Sequence, residues 1–214
     1  MRITGLGVYK GTTFEVELDY DRKIYLHADI IADFGLTAGM ELDRVQLRKI
    51  IYASNFRRAY QRALYLLDYK DYTSHQMREK LIGTYKNEAL CDAVIEKLEE
   101  HRIIDDERYA ERAARRLVEV KRFGYYRARR ELMQKGIDRE TAENALEPYE
   151  SCYGESLAYL LEKKYSSQLT DEDDRKSIER VKASLARYGY GFDEIKNAVR
   201  EYFDRLDEED SDDE

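Results

Sequence analysis

DDERYAERAARRLVEVKRFGYYRARRELMQKGI, from Asp105 to Ile137, decides how the rest of this chain is read. Ala110, Ala113, Ala114 and Leu117 recur at helical spacing and make one apolar side. Arg108, Arg112, Arg115 and Arg122 fall on the opposite side. Either Asp105 or Asp106 can accept a hydrogen bond from a free N–H of the first helical turn. The acids Asp105, Asp106 and Glu107 also suit the positive end of a helix dipole. Gly124 breaks this helix after Arg122 and Phe123, and a second is expected over about Tyr125–Lys135. Gly136 is placed to take the left-handed conformation that ends many helices.

Outward from this stretch the pattern repeats at about fifty residues, three helices at a time, from Phe56 onward. In the first copy Tyr60, Ala63, Leu64 and Leu67 line the opening helix. Thr73 and Gln76 form a capping-box pattern for the second, with Met77 and Leu81 inward. Leu90, Val94 and Leu98 line the third. The second copy continues with Ala128 and Leu132, then Ala142, Ala145 and Leu146, and Pro148 closes it. The third copy reads Leu157, Leu160 and Leu161, then Ile178, Val181, Leu185 and Tyr188, then Ile195, Val199 and Tyr202. Gly136 and Gly189 each follow a leucine by four residues, and Tyr85 holds that place after Leu81. One fifty-residue unit buries little alone, so neighbours must stack, and an elongated array is expected. The polar segment Ser166–Arg175 is read as a loop that lets the third copy shift against the second.

Residues 2–30 differ. RITGLGVYK, TFEVELDY and KIYLHADI are rich in β-branched and aromatic residues, and Phe14, Val16 and Leu18 alternate with acids. With turns at Lys10-Gly11 and Asp21-Arg22, they predict an antiparallel sheet of about three strands packed on the first helix. A long helix is expected from about Asp43, with a break near Ala53–Asn55. The predicted fold is therefore mainly α: a small sheet and connecting helix over 1–55, three-helix repeats over 56–104, 105–150 and 151–205, and a disordered acidic tail over 206–214.

Composition narrows the function. The net charge of −8 conceals a basic middle and an acidic end. Eleven Lys or Arg stand against six acids over Arg102–Lys135, while Asp204 to the end carries eight acids and one arginine. That tail has almost nothing to bury and is expected to stay solvated. No apolar run approaches membrane-span length, and MRITGLGVYKG lacks the apolar core of a secretory leader. Cys91 and Cys152 match no CxxC pattern, as suits a reduced cytoplasmic chain, and His27, His75 and His101 have no ligand spacing. No GxSxG, HExxH or P-loop is present. The expectation is a protein with no catalytic residues, metal, cofactor or small-molecule substrate, acting as a monomer.

What remains is the concentration of Arg112, Arg115, Arg116, Lys121, Arg122, Arg127, Arg129 and Arg130 within nineteen residues. A solvated helical face is the default for any one of them. Together with Arg108 they point to an anionic partner, either nucleic-acid phosphate or an acidic protein surface. Tyr125 and Tyr126 flank the turn beside Arg127; buried rings with wet hydroxyls are expected, with base stacking as the alternative.

IIDDERYAE at Ile103–Glu111 and FGYYRARRELMQKGI at Phe123–Ile137 resemble the RecX regulatory proteins of bacteria. Their signature is an acidic pair before a Tyr-Ala helix, a glycine turn, a basic helix and a Leu-x-x-Lys-Gly-Ile ending. Tyr125 departs from it, since a proline commonly follows the turn glycine. The likeness extends over Phe56 to Phe203, and the N-terminal sheet resembles an extension of many Gram-positive members. It implies a regulator that binds RecA filaments on single-stranded DNA and modulates, mostly by inhibiting, RecA's ATPase, coprotease and recombinase activity in DNA repair and the SOS response. It implies that the protein lies in the filament groove across neighbouring subunits, with the nine cations as RecA or DNA contacts. The alternative is a basic DNA-binding module that acts without RecA.

Overall fold

The computed structural model describes every residue except Tyr20, Asp213 and Glu214, with side chains as far as Leu206. The chain divides into two compact units. The first holds Met1–Asp71 with Met77–Ile103; the second holds Tyr72–Gln76 with the chain from Ile104 onward.

In the first unit, strands β1 (Ile3–Lys10), β2 (Thr13–Leu18) and β3 (Arg22–His27) form an antiparallel meander in the order β1-β2-β3. The turns fall where expected, with Gly11 and Asp21 both left-handed. Leu6 pairs with Val16, which pairs with Ile24 across the other edge. Alternation buries Val16 and Leu18 and leaves Glu15 and Glu17 on the wet face. There Lys23 bridges both acids, at 2.8 and 3.3 Å. The buried face packs against Ile30, Leu36, Leu42 and Ile50 from the segments that follow. That support is what a three-stranded sheet needs, because alone it is marginal in water.

The third apolar run does not stay extended. After His27 it turns into a short helix, α1 (Ala28–Asp33), whose first turn is capped by the imidazole of His27 accepting from the Asp29 N–H. Helix α2 (Arg44–Leu67) starts as expected, with a capping box between Asp43 and Gln46. The expected break near Ala53–Asn55 does not occur. No glycine or proline interrupts this span, and Ser54 is buried. One continuous helix therefore serves the sheet through Ile50 and the first repeat through Ala59 and Ala63. Helices α3 (Ser74–Tyr85) and α4 (Glu88–Glu100) complete that repeat and bury Met77, Leu81, Leu90, Val94 and Leu98. The left-handed residue after α3 is Lys86, the residue after Tyr85.

The second unit contains α5 (Asp106–Arg115), α6 (Tyr125–Met133), α7 (Arg139–Leu146), α8 (Cys152–Leu160), α9 (Arg175–Tyr188) and α10 (Phe192–Asp212). The second and third repeats share one core, in which Ala114, Leu132 and Leu146 join Leu157, Leu161, Val181, Leu185 and Val199. The segment read as a loop for movement between them contains a 3-10 turn at Ser166–Gln168, and Leu169 is wholly buried in the shared core. That anchor ties the segment down. The repeats also share a feature the sequence did not suggest. The opening helix of each widens into a π-turn, Arg116–Val120 after α5 and Leu161–Tyr165 after α8. Gly136 and Gly189 close the second helix of each repeat in the left-handed conformation.

Two glycines fix where these repeats meet. Gly124 donates its N–H to the Tyr188 carbonyl at 2.9 Å, and Tyr126 donates to the Gly189 carbonyl at 3.1 Å. A Cβ on Gly124 would stand 2.5 Å from the Gly189 backbone, and one on Gly189 would stand 2.4 Å from Arg127. Only paired glycines let the backbones approach this closely. The helix α10 continues to Asp212, into the segment where a disordered tail was expected. The side chains beyond Leu206, and the residues Asp213 and Glu214, lie outside the described residues.

Candidate functional site

The acidic pair and the Lys-Gly-Ile ending, the most distinctive parts of the opening stretch, are occupied in holding the second unit together. Asp105 caps α5 by accepting from the Arg108 N–H at 2.9 Å. Asp106 turns instead to the Tyr72–Gln76 segment, accepting from the Ser74 N–H at 2.8 Å and the Ser74 hydroxyl at 2.5 Å. The wholly buried Thr73 donates its hydroxyl to the Lys135 carbonyl at 2.6 Å while accepting from the Gln76 N–H. Gly136 lies against His75, where a Cβ would be 2.2 Å from the His75 Cβ. One side of the motif thus grips a short chain segment through hydrogen bonds, and its glycine makes the space.

The nine predicted contact cations separate into two groups. Three are partly buried and serve the fold. Arg122, itself left-handed, donates to the buried Ser156 hydroxyl at 3.2 Å and lies 5.0 Å from the Tyr159 ring centre. Its carbonyl accepts from the Tyr190 hydroxyl at 2.9 Å. Burial pushes the Tyr190 hydroxyl well above the usual phenol range. Arg127 stacks 3.8 Å from the Phe123 ring centre and donates to the Arg187 carbonyl. Arg129 meets Glu143 at 3.1 Å. Each of these arginines reaches a neighbouring helix, Arg122 at α8, Arg127 at α9 and Arg129 at α7.

The other six, Arg108, Arg112, Arg115, Arg116, Lys121 and Arg130, are exposed. Arg115 is engaged by Glu119 at 3.0 Å, and that carboxylate holds its guanidinium even more firmly charged. Lys121 lies 5.3 Å from the Phe123 ring centre. Arg112 donates to the Arg108 carbonyl. Arg108, Arg116 and Arg130 have no ion pair among the described residues.

On α6 a shallow groove runs along Tyr126, Arg129, Arg130, Met133 and Gln134. Tyr125 behaves as expected, half-buried with its ring edge-on to Tyr153. Tyr126 does not: its side chain stands out, and the residue is 61% exposed. Its ring edge lies beside Gly191, the residue before Phe192, which is 76% exposed. Met133 is 43% exposed. Sequence reasoning passed over Phe192 and Met133, because an apolar residue at helical spacing reads as core. Phe192 was legible only in retrospect, as the first residue of a helix just after a glycine. Arginine, tyrosine, phenylalanine and methionine left in water together have the composition of an interface centre.

Among the described residues no group of three or more His, Cys, Asp or Glu could hold a metal ion, and no helix is long and apolar enough to cross a membrane. Cys91 is buried, Cys152 is partly so, and both are free thiols.

Comparison with known proteins agrees with this architecture. Residues 59–98 match the domain described as RecX, first three-helix domain, and residues 105–146 match RecX, second three-helix domain. The regulatory protein RecX of Geobacillus kaustophilus is 30% identical over 78% of this chain and 62% of its own length. The chain therefore spans less than two thirds of that relative. RecX of Clostridioides difficile is 25% identical, over 96% of this chain and 98% of its own. A crystal structure of a regulatory protein RecX shares the fold, with a TM-score of 0.75 at 23% identity, covering 94% of this chain and 98% of the other. The RecX structure from Lactobacillus salivarius gives a TM-score of 0.64 at 29% identity, over 70% and 97%.

Proposed function

Because this chain belongs to the RecX family, we propose that it binds RecA filaments on single-stranded DNA and restrains their ATPase, coprotease and recombinase activity. In this reading it is a cytoplasmic regulator that acts by occupancy, as a monomer, and catalyses nothing itself. The observation that carries the reading is that Arg108 on α5, Arg116 in the π-turn and Arg130 on α6 are exposed without ion-pair partners among the described residues, with exposed Tyr126 and Met133 lining the groove that holds Arg130. Arg108, Arg116 and Arg130 enter no ion pair among the described residues, and the exposed apolar area of Tyr126 and Met133 is what a partner would cover. An acidic filament surface complements them, and several such contacts made together give avidity without any one tight pocket.

The test is RecA ATPase on single-stranded DNA with stoichiometric protein. Inhibition by the native chain, weakened at least tenfold by R108E/R116E/R130E, supports the reading. Unchanged ATPase with the native chain refutes it. Exposed Tyr126 beside Arg130 favours one second reading, direct binding of single-stranded DNA by stacking and phosphate contact. Tight binding to bare DNA at about 150 mM salt, falling steeply with further salt, would put that reading first.

A further inference from the structure

The acidic residues of α5 border a feature that the basic surface does not use. A cavity lies between α5, α7 and the 3-10 turn Glu147–Tyr149. Ala145, Pro148 and Tyr149 make its apolar wall; Glu107 and Glu111 face it from α5, and Thr141 and Asn144 add polar groups. Several glutamates of this unit are matched: Glu119 with Arg115, Glu131 with Arg127, Glu143 with Arg129 and Arg139, Glu162 with Arg205. Among the described residues Glu107 and Glu111 have no such partner. Arg115, the cation that acts on Tyr149, is already taken by Glu119.

Two like charges one helical turn apart work against the helix. Glu107 is partly compensated by its place in the first turn, near the positive end of the dipole, but Glu111 lies beyond it. Glu107 and Glu111 are the charged groups of the lining and make it acidic; burial, Glu119 and more weakly Glu111 push the Tyr149 hydroxyl up from its ordinary value against the opposing pull of Arg115. An anion such as nucleic-acid phosphate is therefore repelled here. A guest that fits must be positive at its head and apolar along its stem.

We infer that this cavity receives a lysine or arginine side chain of a partner protein, its stem against Tyr149 and Pro148 and its cation between Glu107 and Glu111. The aliphatic stem covers apolar wall while the head reaches the rim. The Tyr149 ring adds cation–π attraction, and the two carboxylates offer acceptors to a guanidinium fork. The surface of this unit thus reads a partner of mixed charge: acids opposite Arg108, Arg116 and Arg130, and a base opposite the cavity. The inference rests on the RecA reading only in taking the filament as the source of that side chain.

The test is an NMR titration of the full chain with Nα-acetyl-arginine amide. Saturable shifts at the Thr141, Asn144 and Ala145 amides are expected, with a Kd of about 1–10 mM, a weak affinity proper to one side chain. E107Q/E111Q keeps the shape and removes the charge; it should weaken binding at least fivefold without lowering the thermal midpoint. Absence of saturation at about 30 mM, or equal binding by the variant, overturns the inference. A second arm tests the source: against RecA filaments on single-stranded DNA, E107Q/E111Q should lose about tenfold in affinity. Equal affinity overturns the filament as donor. If the native chain does not bind filaments at all, the RecA reading falls and the titration alone judges the cavity.

Discussion

Replacing Gly124 with alanine adds one carbon atom at the crossing of the second and third repeats, and the effect can be worked from the geometry. The new Cβ would lie 2.5 Å from the Gly189 carbonyl carbon and oxygen and 2.6 Å from the Tyr190 nitrogen. Carbon contacts settle at about 3.5–4 Å, so the two backbones must separate by about 1 Å. The obstacles are backbone atoms, which cannot swing aside as a flexible side chain does. Overpacking of this kind costs about 1–3 kcal/mol. Separation also stretches the two hydrogen bonds across the crossing, Gly124 to Tyr188 and Tyr126 to Gly189, worth about 1 kcal/mol each. Against this, alanine narrows the unfolded ensemble by about 0.4–1 kcal/mol, and the φ of −71° at Gly124 suits it. The net loss is about 3 kcal/mol, a fall of roughly 10 °C in the unfolding midpoint of the second unit. Gly154 provides the control within the same unit. It lies in α8 with nothing within 4 Å of an added Cβ, so Gly154→Ala should raise stability by about 0.5–1 kcal/mol. Calorimetry of the full chain, with hydrogen exchange at α6 and α9 amides to assign the transition, reads both. A midpoint for Gly124→Ala within about 2 °C of the native one, or a fall for Gly154→Ala equal to that of Gly124→Ala, would refute the close-crossing argument.

Thr73→Val removes a buried donor to the Lys135 carbonyl and the acceptor that caps the Gln76 N–H; a loss of about 1–3 kcal/mol and faster hydrogen exchange around Gly136 are expected in denaturant and exchange measurements. Arg122→Ala and Arg116→Ala should divide stability from binding: the first lowers the melting midpoint by giving up Ser156 and the Tyr159 ring, while the second leaves it within about 1 °C and weakens filament binding. The hydroxyls of Tyr153 and Tyr190 are raised by burial above their ordinary value of 10.0. The unfolded chain therefore releases these protons first, so stability is full below about pH 10 and declines as pH rises above it. Urea titrations across that range should show a shallower decline for Y153F and Y190F, and an unchanged slope would place the alkaline sensitivity elsewhere.

Much of the fold could be read from residue order because local physics and tertiary packing agree there. Val16 and Leu18 alternate with acids, and a strand with one wet face is the result. Asp43 and Gln46 both satisfy free N–H groups, and the helix starts where they stand. Gly136 and Gly189 have no Cβ penalty at positive φ, and they end equivalent helices. The errors share a cause. Ala53–Asn55 looks polar enough to interrupt a helix, but the sheet and the first repeat use one continuous rod, a demand made by packing at both ends. The candidate cations divide for the same reason. Arg116 and Arg122 are indistinguishable as letters in a basic run, yet one is exposed and the other holds Ser156.

The sequence by itself determined most of the element types, the repeat and the wealth of positive charge in the second copy, because period, capping chemistry and composition are local properties. Which charges remain available for a partner was decided only in three dimensions. The glycine crossing and the contacts of Asp106 and Thr73 join residues distant in sequence. Orientation and solvent access depend on what lies opposite, and nothing in the order of the residues states that.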